Sequence, residues 1–221
     1  MLTPRKTRVV VLISGSGSNL QALIDGVAAG DLPIEIVAVI SNRPEVLGLE
    51  RATRANIHAE VLDHKTFAHR ESFDQALKEK IDSYQPDLIV LAGFMRILTA
   101  EFTQHYQGKM LNIHPYLLPK FQGLHTHERA IEAGETRHGV TVHFVTAELD
   151  GGPAAVQASV PIVAGDDATT LAKRVQRQEH VIYPLAVKWF AEGDLRMIDG
   201  KSVLKGEPLS SSGFQIWSDE T

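Results

Sequence analysis

Short runs of β-branched and aliphatic residues recur through the first half of this chain, and amphipathic helical stretches separate them. Residues 9–13 read Val-Val-Val-Leu-Ile, the unbroken apolar run expected of a strand buried on both faces. Runs at 34–40, 59–62, 87–92 and 109–113 repeat the theme. Between them, Leu20, Leu23, Ile24 and Val27 form one helical stripe, and Phe73, Leu77 and Ile81 form another. Helices are predicted over 44–56, with Pro44 in the first turn, over 67–84, ended by Pro86, and over 99–106, capped by Thr99. Such alternation predicts an α/β fold: an open, mainly parallel twisted sheet, helices on both faces and right-handed crossovers.

The rhythm changes after residue 113. Residues 114–126 are rich in Pro, Gly and His and read as a long loop, of a length that is usually functional. Strands at 140–146 and 155–161 flank a turn at Asp150, which predicts antiparallel strands in the C-terminal part. Asp167 caps a helix running to about residue 191. Asp199-Gly200 between apolar pairs signals a hairpin. The last ten or so residues are polar and read as frayed. With no repeat or linker in view, one domain over 1–221 is the simplest organisation.

Composition removes several classes of function. A formal charge of −5 argues against a broad basic face for nucleic acid. The absence of cysteine excludes disulfides, thiolate metal sites and a cysteine nucleophile, and suits a reducing cytoplasm. Arg5, Lys6 and Arg8 before the first apolar run resemble a signal peptide, but that run is too short and a buried strand explains it better. No stretch has the length of a membrane span.

Ser14-Gly15-Ser16-Gly17-Ser18-Asn19 follows the first strand and opens a helix. Glycines let backbone approach an anion, and N–H groups at a helix start point toward it. A plain tight turn is the alternative. Leu20 replaces the third glycine of a dinucleotide fingerprint, and no Gly-Lys-Ser/Thr follows, so one terminal phosphate suits the loop better than NAD or ATP. Arg70, Gln176 and Glu179 are candidate partners: Gln176 and Glu179 share a helix face, and Glu179 can accept from a ribose diol. A surface salt bridge for Arg70 and a solvated helix charge for Glu179 are the competing readings.

Phe94, Met95, Ile97 and Leu98 follow the fourth strand and can line a slot for a flat heterocycle, or pack in the core. Asn112 and His114 flank Ile113 at the next strand's end, and period-two alternation puts both side chains on one side. With Asp150 in its glycine-rich turn they offer an amide, an imidazole and a carboxylate. An amide and an imidazole can hold a developing oxyanion, and a carboxylate can hold the imidazole; moving an acyl group between nitrogens needs those parts. A loop cap plus a surface histidine is the competing reading. A zinc site drawn from His125, His127 and His143 is weak, with no HExxH motif, cysteine or clear carboxylate partner. No Gly-x-Ser-x-Gly elbow supports a serine hydrolase.

The ordered set of motifs is specific. Residues 11–21 (VLISGSGSNLQ), 90–98 (VLAGFMRIL), 111–115 (LNIHP), 123–127 (GLHTH) and 148–153 (ELDGGP) together resemble the folate-dependent phosphoribosylglycinamide formyltransferase family over nearly the whole chain. The resemblance implies a Rossmann-like formyltransferase fold, with a phosphate-binding half at about 8–111 and a catalytic and folate half at about 112–205. It implies transfer of formyl from 10-formyltetrahydrofolate to the amine of 5-phosphoribosylglycinamide (GAR) in purine biosynthesis. Catalytic roles fall on Asn112, His114 and Asp150. The GAR phosphate and ribose fall on Gly17, Ser18, Asn19, Arg70, Gln176 and Glu179. The folate pocket falls on Met95, Arg96, Ile97 and Leu98 and on Val145, Thr146, Ala147, Glu148 and Leu149. The expected partners are small molecules, with no metal, nucleic acid or membrane, in a cytoplasmic monomer or homodimer. Tyr116, Gln122 and Ala147 depart from the family's usual serine, proline and acid. Another formyltetrahydrofolate-using enzyme, or a non-catalytic phosphate sensor on the same sheet, remain alternatives.

Overall fold

The apolar run near the N-terminus forms β1 (Thr7–Ile13), in which Val9 through Ile13 are fully buried. The computed structural model describes residues 2–118, 120 and 122–221. They form two compact units, divided between Leu111 and Asn112.

In the first unit β1 is central. It pairs in parallel with β2 (Ile34–Ser41), Val9 opposite Ile36 and Leu12 opposite Ile40. β3 (Ala59–Val61) adds beyond β2, also in parallel. The chain then returns to the other side of β1 with β4 (Leu88–Leu91), Val9 opposite Leu88 and Leu12 opposite Leu91. The helices are α1 (Ser18–Ala28), α2 (Leu47–Arg54), α3 (Arg70–Ser83) and α4 (Ala100–His105). Burying each aliphatic side chain of β1 is worth roughly 1.5–3 kcal/mol, which favours placing the most apolar strand at the centre. The order β4-β1-β2-β3 reverses direction at β1. The loops leaving β1 and β4 therefore start from neighbouring strand ends, the switch point where open α/β sheets bind ligands.

β5 (Met110–His114) begins in the first unit and ends in the second. The second unit contains α5 (Thr126–Glu132), β6 (Arg137–Phe144) and β7 (Ala154–Pro161), and β6 and β7 pair antiparallel with Val142 opposite Val156. Helix α6 (Ala168–Ala191) packs on this pair through Leu171, Val175, Ile182 and Val187. The Asp167 carboxylate accepts from Thr170 N at 2.8 Å and caps the helix, as its sequence position predicts. β8 (Leu195–Ile198) and β9 (Lys201–Leu204) form the expected hairpin, with Asp199 and Gly200 at φ 51° and 76°; β10 (Glu207–Pro208) completes a small antiparallel sheet. No helix among the described residues is long and apolar enough to cross a membrane.

Several boundaries differ from the sequence expectation. α2 starts at Leu47, not Pro44, because Glu45 has φ 57° and Val46 is extended. The helix expected from residue 67 starts at Arg70, because His64–Thr66 forms a separate 3-10 turn capped by Asp63 and Phe67 is extended. β6 covers Arg137–Phe144, so Val145 and Thr146 lie beyond the strand. The helix α5 was not expected; it opens on His125 at φ 57°. The tail read as frayed forms β11 (Phe214–Trp217), parallel to β7 with Phe214 opposite Val156. Arg137 lies over the Trp217 ring at 4.4 Å and donates to Ser218 O at 2.7 Å, and these contacts hold a polar segment that periodicity alone does not mark.

Candidate active site

Strand alternation sets the first part of the site. Asn112 and His114 occupy alternate positions of β5, and Ile113 between them is buried. His114 Nδ1 lies 3.6 Å from Asp150 Oδ2, and both side chains are more than nine-tenths buried. Asp150 holds this place through a left-handed backbone at φ 51°, which aspartate tolerates better than most residues. Gly152 follows because a Cβ there would stand 1.8 Å from Phe144 O. Gly123 N donates to Asp150 Oδ2 at 3.1 Å, and Gln122 Nε2 donates to Asp150 O at 3.4 Å, so the loop at 122–123 touches the carboxylate-bearing turn.

His143 lies beside this group. Its Nδ1 meets Phe144 O at 3.0 Å, which fixes the proton on Nδ1 and leaves Nε2 as an acceptor. Burial lowers its pKa, which keeps the ring neutral at pH 7. Nε2 lies 3.5 Å from Asn112 Nδ2 and 3.9 Å from Asp150 Oδ1. From the sequence His143 is only a weak zinc candidate; here it stands between two of the proposed catalytic residues. His125 lies 3.6 Å from Glu128 on the surface, and His127 Nδ1 meets His138 Nε2 at 2.9 Å. Burial lowers both His127 and His138, the latter to about 3. Tyr116 is buried and its ring centroid lies 4.8 Å from that of His138. Among the described residues no group of three or more His, Asp or Glu side chains is arranged to hold a metal ion.

Also in the second unit, Gln176 and Glu179 line one cleft of about 440 Å³ with Pro115, His127 and Lys173. Of the residues expected to bind folate in this unit, Val145 is buried, whereas Ala147, Glu148 and Leu149 are exposed.

The first unit carries the other expected groups. Gly17, at φ 70°, precedes the first turn of α1, which begins at Ser18 and Asn19. Asn19 Oδ1 is buried without a hydrogen-bond partner among the described residues. Gly48 packs beneath this loop: Gly48 N donates to Gly15 O at 3.0 Å, and a Cβ on Gly17 would lie 2.8 Å from Gly48 Cα. Arg51 Nε donates to Ser16 O at 2.7 Å. Arg70 is exposed on the first turn of α3, with the Asp74 carboxylate as a charge neighbour. Met95 and Ile97 are 58% and 53% exposed, a pair of large apolar side chains open to a ligand. The guanidinium of Arg96 lies over Phe73 at 5.1 Å. Thr99 N donates to Asp74 Oδ2 at 2.7 Å, closing the far end of this segment. Ser14 bridges the two loops: its Oγ accepts from Met95 N at 2.8 Å. That bond escapes a sequence reading because the two residues are 81 positions apart.

A parallel α/β unit with a glycine-bearing loop at a helix start, and an amide, an imidazole and a carboxylate in the second unit, suit a group-transfer enzyme. The family described as Formyl transferase matches residues 7–187. Phosphoribosylglycinamide formyltransferase of Escherichia coli K12 is 52% identical over 206 residues, covering 93% of this chain and 97% of that protein. The trifunctional purine biosynthetic protein adenosine-3 of Homo sapiens is 47% identical over 193 residues, covering 87% of this chain and 19% of that protein. The solved structure of phosphoribosylglycinamide formyltransferase from Coxiella burnetii superposes with a TM-score of 0.93 at 50% identity, covering 96% of this chain and all of that one (100%). The chain belongs to the formyl transferase family, and within it to the phosphoribosylglycinamide formyltransferases.

Proposed function

We propose that this chain transfers the formyl group of 10-formyltetrahydrofolate to the amine of GAR, giving formyl-GAR and tetrahydrofolate. The observation that carries the reading is the 3.6 Å approach of His114 Nδ1 to the buried Asp150 carboxylate, with Asn112 at the alternate position of the same strand. The neutral amine attacks the formyl carbon, a C–N bond forms, and the bond from that carbon to the folate nitrogen breaks. The amine loses a proton and the folate nitrogen gains one. Asn112 Nδ2 and the His114 imidazolium donate to the oxygen as its charge develops, and Asp150 stabilises the imidazolium through its negative charge. No nucleophilic side chain is needed, which agrees with the lack of cysteine.

In this reading the backbone N–H groups at Gly17, Ser18 and Asn19 receive the GAR phosphate, helped by Arg70 and Gln176. Glu179 holds the ribose. Met95, Arg96, Ile97 and Leu98, with Val145 through Leu149, receive the folate; the exposure of Met95, Ile97 and Leu149 supports this. The cysteine-free composition suits a cytoplasmic enzyme.

The test is spectroscopic detection of tetrahydrofolate release with GAR, repeated with glycinamide lacking the phosphoribosyl group. Turnover that requires GAR supports the reading. Equal release without any amine identifies a hydrolase, and no release in any arm leaves a non-catalytic phosphate binder.

A further inference from the structure

We propose that the Ser14 hydroxyl is a positioning group that couples the phosphate loop to the folate slot, so that GAR and folate strengthen each other's binding; the inference rests on the function proposed above.

Ser14 lies just past β1 and is 2% exposed. Its Oγ makes two bonds. It donates to Asn42 Oδ1 at 2.5 Å and accepts from Met95 N at 2.8 Å. A hydroxyl has one proton, and an amide oxygen can only accept, so that proton is committed to Asn42 and a lone pair is left for the Met95 N–H. Asn42 is itself 1% exposed and held by His64, whose Nδ1 lies 3.1 Å from Asn42 Nδ2 and 3.0 Å from Asn42 O. The hydroxyl is thereby aimed at Met95 by a buried scaffold drawn from the ends of β1 and β2.

Both neighbouring segments are tied to this point by the contacts around them. The loop from Ser14 to Gly17 has little play, because Gly48 packs against Gly17 and Arg51 holds Ser16 O. A shift imposed on Gly17, Ser18 and Asn19 by a bound phosphate therefore reaches Ser14. The other segment has a pivot: Gly93, at φ 73°, has open space where a Cβ would stand. Beyond it, Thr99 N is fixed on Asp74 and the Arg96 guanidinium on the Phe73 face. Met95, the first exposed apolar side chain of the slot, lies between the pivot and these fixed points, with its amide on Ser14. The linkage is reciprocal, since whatever strengthens that bond at one end lowers the cost of order at the other.

The experiment compares wild type with Ser14→Ala. The Kd of tetrahydrofolate is measured with and without saturating GAR, and amide exchange at Met95 is followed with GAR alone. One ordinary hydrogen bond corresponds to about a two- to tenfold change in an equilibrium constant. Wild type should bind tetrahydrofolate more tightly with GAR present, by a factor in that range, and GAR alone should slow Met95 exchange. In Ser14→Ala the ratio should fall to about one and the slowing should vanish. An equal ratio in the two proteins, or none in wild type, overturns the inference. Should Ser14→Ala fail to fold, the wild-type exchange rate decides, and a rate unmoved by GAR overturns it. Wild-type turnover is measured first: its failure defeats the proposed function and the coupling together, whereas turnover with an unchanged ratio defeats the coupling alone.

Discussion

Replacing Asp150 by asparagine isolates the charge of the candidate site from its shape. Asparagine tolerates a left-handed backbone like that of Asp150, φ 51°, and its side-chain oxygen can still accept from Gly123 N. The change removes one negative charge 3.6 Å from His114 Nδ1, between side chains more than nine-tenths buried. At an effective dielectric near 20, a unit charge pair at that separation interacts by about 4–5 kcal/mol. Desolvation and the dipole of the replacing amide offset part of this, leaving about 3–4 kcal/mol, or roughly 10²–10³ in rate. We expect Asp150→Asn to retain its thermal midpoint within a few degrees, to bind GAR, and to lose about 10²–10³ in kcat by tetrahydrofolate release. A kcat within about fivefold of wild type would refute the electrostatic role. Asp150→Ala is the informative contrast, since it also strands Gly123 N and puts a less tolerant residue at that φ. It should cost a further 1–2 kcal/mol of stability in urea unfolding, with kcat no better than Asp150→Asn.

Four other outcomes follow. Asn112→Ala and His114→Ala should each lose at least about 10² in kcat while circular dichroism stays native, as removal of an oxyanion donor does elsewhere. Arg70→Ala should raise the KM for GAR more than it lowers kcat; an unchanged KM removes Arg70 from the phosphate site. Gly48→Ala places a Cβ 2.4 Å from Ile13 Cδ1 and 3.0 Å from Gly15 O, so a lower thermal midpoint and a raised KM for GAR are expected, and a midpoint and KM both at wild-type values would show the loop to be compliant. Burial, with His127 and His114 nearby, holds the His138 pKa at about 3 against an ordinary 6.5. Between those values the unfolded chain binds the extra proton, so this group's stabilisation is intact above pH 6.5 and declines as pH falls toward 3. Its slope is about 1.4 kcal/mol per pH unit, and His138→Phe should flatten the acid limb of urea-unfolding curves by that amount; an unaltered limb would place the acid sensitivity elsewhere.

The elements best marked in the sequence depend on neighbours close along the chain. Val9 to Ile13 declare a doubly buried strand, Asp167 declares a cap because its acceptor lies three residues from Thr170 N, and Asp199-Gly200 declares a hairpin. The grouping of Asn112, His114 and Asp150, proposed above as catalytic, is legible because Asn112 and His114 occupy alternate positions of one strand and Asp150 sits beside two glycines. What escaped depends on distant partners. β11 exists because β7 offers it an edge and Arg137 reaches Trp217. Helix α5 is short and starts from a left-handed histidine, so its sequence carries no cap signal. The placement of His143 depends on a carbonyl that claims one ring nitrogen and on Asn112 31 positions away.

The late position of β11 has a consequence for biosynthesis. β7 emerges from the ribosome some fifty residues before Phe214–Trp217, so its outer row of backbone groups stays without a strand partner until translation has passed residue 217. Until then nascent chains expose an open template for strand addition. Stalling or truncating synthesis ahead of that point should enrich intermolecular β-pairing, whereas additions beyond Thr221 should leave the seal intact.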